Sequence, residues 1–109
     1  MKKPSRQMQM IVDALGEKYS LVYIDLKWCI YRDLLNGFDI EIANHRVKGK
    51  PINLTVYVWQ VRDQLKVIET IEGITNIEDL RRILRCMVNK TNRLTASRNK
   101  VYRPILQIV

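Results

Sequence analysis

Arg81, Arg82 and Arg85 are the side chains whose type and spacing most directly imply chemistry. A guanidinium is a planar fork of N–H donors with a permanent charge, and it matches two oxygens of a phosphate or a carboxylate at once. Lys90, Arg93, Arg98, Lys100 and Arg103 follow, and from Leu80 to Val109 no aspartate or glutamate offsets them. All 11 acidic residues lie before Leu80, where they balance the remaining basic ones, so the net charge of +8 resides entirely in the final segment. With a pI near 9.8 this polarity favours a polyanion. The expected partner is nucleic acid, DNA or RNA, held by its phosphate backbone rather than by its base edges. An acidic protein surface would draw on the same charge.

A second group of binding residues is aromatic. Tyr57 and Trp59 alternate along one strand-like stretch, and Tyr31 falls in a matching phase of another. Aromatic rings on an open sheet face can stack unpaired bases or anchor a protein interface, including one with a second copy of the chain.

Catalytic constellations are sparse. His45 is the single histidine and lies in a basic loop with Arg46 and Lys48. Asp39 and Glu41 share a strand face and could form an acid pair or hold a cation, but alternate carboxylates are the usual wet side of a hairpin. No nucleophile elbow, phosphate-cradling glycine loop or metalloprotease helix is present in the sequence. The expectation is a non-enzymatic protein without cofactor or metal. Small basic ribonuclease toxins share this size and charge, a likeness of architecture alone.

Cys29 and Cys86 lack the C-x-x-C spacing of a zinc site, and both are expected as buried free thiols. No apolar run approaches the roughly 20 residues of a membrane span. The chain is therefore expected to be soluble and cytoplasmic, with no membrane partner. Asn53-Leu54-Thr55 and Asn89-Lys90-Thr91 fit the glycosylation sequon, which matters only in a secreted chain.

These residues need a scaffold, and hydrophobic periodicity supplies its outline. Met8, Ile11, Val12 and Leu15 recur at i, i+3, i+4 and i+7, which predicts a helix over residues 5–18 with Ser5 as N-cap. Between Val22 and Leu34 the even positions are apolar except for Arg32, which favours strand over a competing helix at Leu26–Leu35. Thirteen residues is long for one strand, so a bend is expected near Asp25–Lys27. Leu35-Asn36-Gly37 reads as a hairpin loop that sets Leu34 opposite Phe38, Arg32 opposite Ile40 and Ile30 opposite Ile42. Strands are expected over residues 21–34, 38–44, 52–60 and 65–72, and a helix capped by Thr75 or Asn76 over residues 75–90.

The resulting fold is α+β and a single domain. It has an N-terminal helix, a three- to four-stranded antiparallel sheet of hairpins, and a C-terminal helix packed on one sheet face. Residues 1–90 form the domain. Residues 91–109 are expected as a basic arm that a partner would order, with Tyr102–Val109 either a late edge strand or a segment that pairs with another copy of the chain. Three functions are carried forward: a nucleic-acid-binding module, a small phage or mobile-element regulator or inhibitor acting by protein–protein interaction, and a ribonuclease toxin.

Overall fold

Ser5 opens the first helix by accepting a hydrogen bond from the Met8 amide at 3.2 Å, which satisfies one of the donors left over at a helix start. This helix, α1 (Arg6–Leu15), ends at Gly16, whose φ of 95° only glycine adopts readily and whose amide bonds back to Val12. The helix therefore stops three residues short of the expected Lys18. The computed structural model describes the backbone of residues 3–108 and the side chains of residues 3–96. Within it α1 leads into β1 (Ser20–Ile24), β2 (Lys27–Asp33), β3 (Phe38–Asn44), β4 (Leu54–Gln60) and β5 (Lys66–Ile74), and then α2 (Ile77–Ile108).

The five strands form one antiparallel sheet in chain order, β1-β2-β3-β4-β5. The sheet has one strand more than expected because the long apolar stretch folds back on itself at Asp25-Leu26. Both of these residues take positive φ, 52° and 65°, and Ile24 pairs with Lys27 across the turn. Two positive φ values in a two-residue loop give the twist that antiparallel strands require. The next hairpin keeps its predicted register, Ile30 opposite Ile42 and Arg32 opposite Ile40. In its loop the positive φ values belong to Leu35 and Gly37. Asn36 instead accepts the Phe38 amide on its side-chain oxygen at 3.1 Å.

Both helices cover one sheet face. Ile30, Phe38, Ile40, Ile42, Leu54, Val56 and Val58 project from it onto Met8, Ile11 and Val12 of α1 and Leu80 and Leu84 of α2, all of them buried. The alternation of apolar and polar residues along the strands is what makes this face one-sided.

Asn76 caps α2, its side-chain oxygen accepting the Asp79 amide at 2.8 Å. The helix does not stop at Lys90 but continues to Ile108, so residues 91–108 are helical where an arm and a late strand were expected. As far as Arg103 the extension follows from composition, since residues 91–103 contain neither glycine nor proline to end a helix; Pro104, inside the last turns, is the one residue there that disfavours it. Thr91 and Thr95 explain part of the misreading. Their polar side chains hide the fact that Thr91 is buried against the sheet, 1% exposed. Cys29 is buried as expected, whereas Cys86 lies exposed on the outer side of α2.

Candidate functional site

The arginines of α2 do not form one uniform patch. Arg82 pairs with Asp79 one turn earlier at 2.9 Å. Arg81 turns the other way, and its Nη2 donates to the Ala14 carbonyl at 2.9 Å. That carbonyl belongs to the last turn of α1, where backbone oxygens lack helical partners and the helix dipole is negative. Arg81 thus joins the start of α2 to the end of α1.

Beside this link runs an open groove of about 390 Å³ between the end of α1, β2 and α2. Lys18, Arg32, Arg81 and Arg85 line it, together with Asn89, over a floor that includes Leu15, Leu84 and Val88. No carboxylate is among the lining residues.

Arg32 is the least expected member. It stands in the apolar phase of β2, opposite the fully buried Ile40, on the face that the helices cover. Its guanidinium lies over the ring of Tyr19, 5.3 Å from the centroid, and its Nη1 donates to the Tyr19 hydroxyl at 3.3 Å. The aliphatic stem completes the core while the charged head emerges into the groove. An arginine in the inward phase of an otherwise apolar strand is the sequence signal that marks this position. Lys18 carries no such signal, because it falls in the groove only once α1 has ended at Gly16.

The remaining charged candidates are placed differently. Lys90 reaches across to Glu69 of β5, Nζ to Oε2 at 2.6 Å, on the opposite edge of the helix. Arg93 is exposed. Arg98, Lys100 and Arg103 lie on α2, but their side chains are outside the described residues.

The three aromatic candidates do share a surface, the sheet face turned away from the helices. Tyr31 stands opposite Glu41, which in turn stands opposite Tyr57, and Trp59 stands opposite Asp39. Diagonal bonds tie these rows together. The Tyr31 hydroxyl donates to Asp39 at 2.5 Å and the Trp59 indole N–H donates to Glu41 at 3.2 Å. Burial, the bond to Asp39 and the charges of Asp39 and Asp33 raise the Tyr31 pKa. The hydroxyl of Tyr57 meets His45 Nε2 at 3.2 Å. Asp39 and Glu41 are thus engaged in holding aromatic rings. Among the described residues no group of three or more acidic, histidine or cysteine side chains is placed to hold a metal ion.

The chain matches no family model, no curated protein and no solved structure. Among the described residues no helix is long and apolar enough to cross a membrane.

Proposed function

We propose that this protein is a non-enzymatic binding module that engages the phosphate backbone of nucleic acid on its helical side. The supporting observation is the groove in which Lys18, Arg32, Arg81 and Arg85 meet with no carboxylate among them. Like charges brought together repel one another, and an anion relieves that repulsion as it binds. Two of the three guanidinium groups are already held in place, Arg32 by Tyr19 and Arg81 by Ala14, so less side-chain freedom is lost on binding. Arg93 extends the charge along α2, and Arg98, Lys100 and Arg103 continue it in sequence.

Binding of a labelled oligonucleotide measured against salt concentration tests this reading. The affinity should fall steeply with salt and weaken strongly in the Lys18→Gln/Arg85→Gln double variant. Affinity that stays level from low to moderate salt, or an unaffected double variant, removes the reading.

A second reading concerns the other side of the molecule. The Tyr31, Tyr57 and Trp59 face carries Asp33, Asp39 and Glu41, and these carboxylates disfavour a phosphate backbone. Aromatic rings among acidic groups suit a protein partner, the regulator or inhibitor role, or a second copy of the chain. Light scattering coupled to gel filtration, with native protein and Trp59→Ala, tests it. A dimer or complex lost in Trp59→Ala supports this role, and a complex indifferent to Trp59 removes it.

A further inference from the structure

The helical groove gathers more positive charge than one backbone phosphate needs. A backbone phosphodiester carries one negative charge, and successive phosphates along an extended strand are spread out. Here four cationic side chains line a single recess of about 390 Å³, and its floor includes Leu15, Leu84 and Val88 rather than a continuing polar track. We infer that the groove formed by Lys18, Arg32, Arg81 and Arg85 receives the terminal phosphate of a nucleic-acid strand, a phosphomonoester at a chain end. The inference rests on the nucleic-acid reading and narrows it from the backbone at large to a strand terminus.

Three features fit this ligand. A phosphomonoester carries about −1.5 to −2 charge at neutral pH and presents three acceptor oxygens, which matches a cluster of forks and an ammonium better than a diester does. Arg32 and Arg81 approach from two directions, one fixed by the Tyr19 ring and the other by the α1 carbonyl of Ala14. The apolar floor gives the terminal sugar a surface to rest on. Asn89 adds a side-chain amide at the rim. The face of α2 beyond the groove, bearing Arg93, is left for the phosphates that follow.

The test uses fluorescence anisotropy with single-stranded oligonucleotides of one sequence bearing a 5′-phosphate, a 3′-phosphate or only hydroxyl ends. Native protein, Arg32→Gln and Arg85→Gln are compared, and each variant is first checked for an unchanged thermal transition. Arg85 is exposed, so its substitution keeps the test decisive should Arg32→Gln loosen the packing of Tyr19. One of the two phosphorylated ends should bind about tenfold or more tightly than the hydroxyl-ended strand, the effect expected of one or two additional charge-assisted hydrogen bonds. Arg85→Gln should erase most of that preference.

Equal binding of phosphorylated and hydroxyl-ended strands overturns the terminal-phosphate inference while leaving the backbone reading in place. Failure of every oligonucleotide to bind overturns both. A preference that survives in Arg32→Gln and Arg85→Gln places the site elsewhere and overturns the assignment. Competition arms contain inorganic phosphate, a nucleoside 5′-monophosphate and a phosphoserine peptide. Displacement by any of them at the affinity of the phosphorylated strand overturns the assignment to a strand end.

Discussion

The side-chain amide of Asn36, at the tip of the β2–β3 hairpin, donates to the buried hydroxyl of Thr91 on α2 at 3.0 Å. The same nitrogen also donates to Asn92 at 2.8 Å, and Thr95 returns a hydrogen bond to the Asn36 carbonyl at 3.2 Å. One turn residue thus fastens three positions of a helix more than fifty residues away in sequence. Thr91 completes the arrangement by donating to the Val88 carbonyl at 2.9 Å. This contact fixes the lie of α2 across the sheet, and so helps to set Arg85 and Asn89 beside the groove.

Substituting Asn36 by Ala should destabilise the fold by about 1–3 kcal/mol, because it removes the part-buried bond to Thr91, the exposed bond to Asn92 and the cap on the Phe38 amide, while the Thr95 bond to the backbone carbonyl remains. Thr91→Val should cost less, as Asn36 retains Asn92. Urea unfolding followed by far-UV circular dichroism measures both. An Asn36→Ala protein as stable as the native one would show that α2 is held by its apolar stripe alone.

Leu26 and Leu35 occupy left-handed backbone with φ of 65° and 59°. Their side chains are 85% and 87% exposed, so little packing offsets the strain. Leu26→Gly should stabilise the protein by up to about 1 kcal/mol, since glycine adopts this conformation without the Cβ clash. Leu35→Asn should act in the same direction. A lower denaturation midpoint in both variants would contradict the turn geometry.

Nucleic-acid affinity should show a slope of log K against log salt of about −0.9 per duplex phosphate neutralised, or about −0.7 on a single strand. Arg85→Gln should flatten that slope by about one such unit. Arg82→Gln should change it less, because Arg82 is committed to Asp79 at 2.9 Å. Lys90→Gln should likewise act mainly on stability, through Glu69. Equal effects of Arg82 and Arg85 on the slope would argue for a diffuse patch rather than a groove.

The Cys29 thiol is pushed up to about 11 from 9.0, first by burial and then by the charge of Glu41. A thiol whose pKa is raised by folding contributes stability that is intact below the unfolded value and is lost as pH rises through the folded one. Burial and Asp39 raise Tyr31 in the same sense. Stability should therefore decline from about pH 9 upward, and Cys29→Ala should reduce that decline between pH 9 and 11. In the native protein at pH 8 a thiol reagent should label the exposed Cys86 rapidly and Cys29 only on unfolding. Equal labelling rates at the two positions would contradict this arrangement.

Regular periodicity made much of the fold legible in the sequence. The Met8/Ile11/Val12 stripe, the alternation of β3 and β4, and the Leu35-Asn36-Gly37 register rest on rules of spacing that the structure follows. Where tertiary contacts decide the outcome, the sequence was silent or misleading. The turn at Asp25-Leu26 contains no glycine or asparagine to announce its positive φ values. The buried Thr91 reads as a polar residue until its partner from the hairpin is known. Among the site residues, the arginine run on α2 was evident, but its division was not. Arg81 and Arg82 are adjacent in sequence yet face different partners, and Arg32 enters the groove from a strand otherwise occupied in building the core.

The chain-order sheet bears on how the molecule comes to exist. Each strand pairs with the one just before it, so every ladder closes over a short connection and the loop-closure cost at each step is small. Such topology lets the hairpins zip up one after another, with rates typical of local contacts. The docking of α2 is the exception, because Leu80 and Leu84 join strands far behind them in sequence. The groove cannot exist before that step, since one wall is α2 itself. Its cationic side chains are gathered last, when the fold is otherwise complete, and an anion that favours the groove would act as a late clamp on the assembled domain.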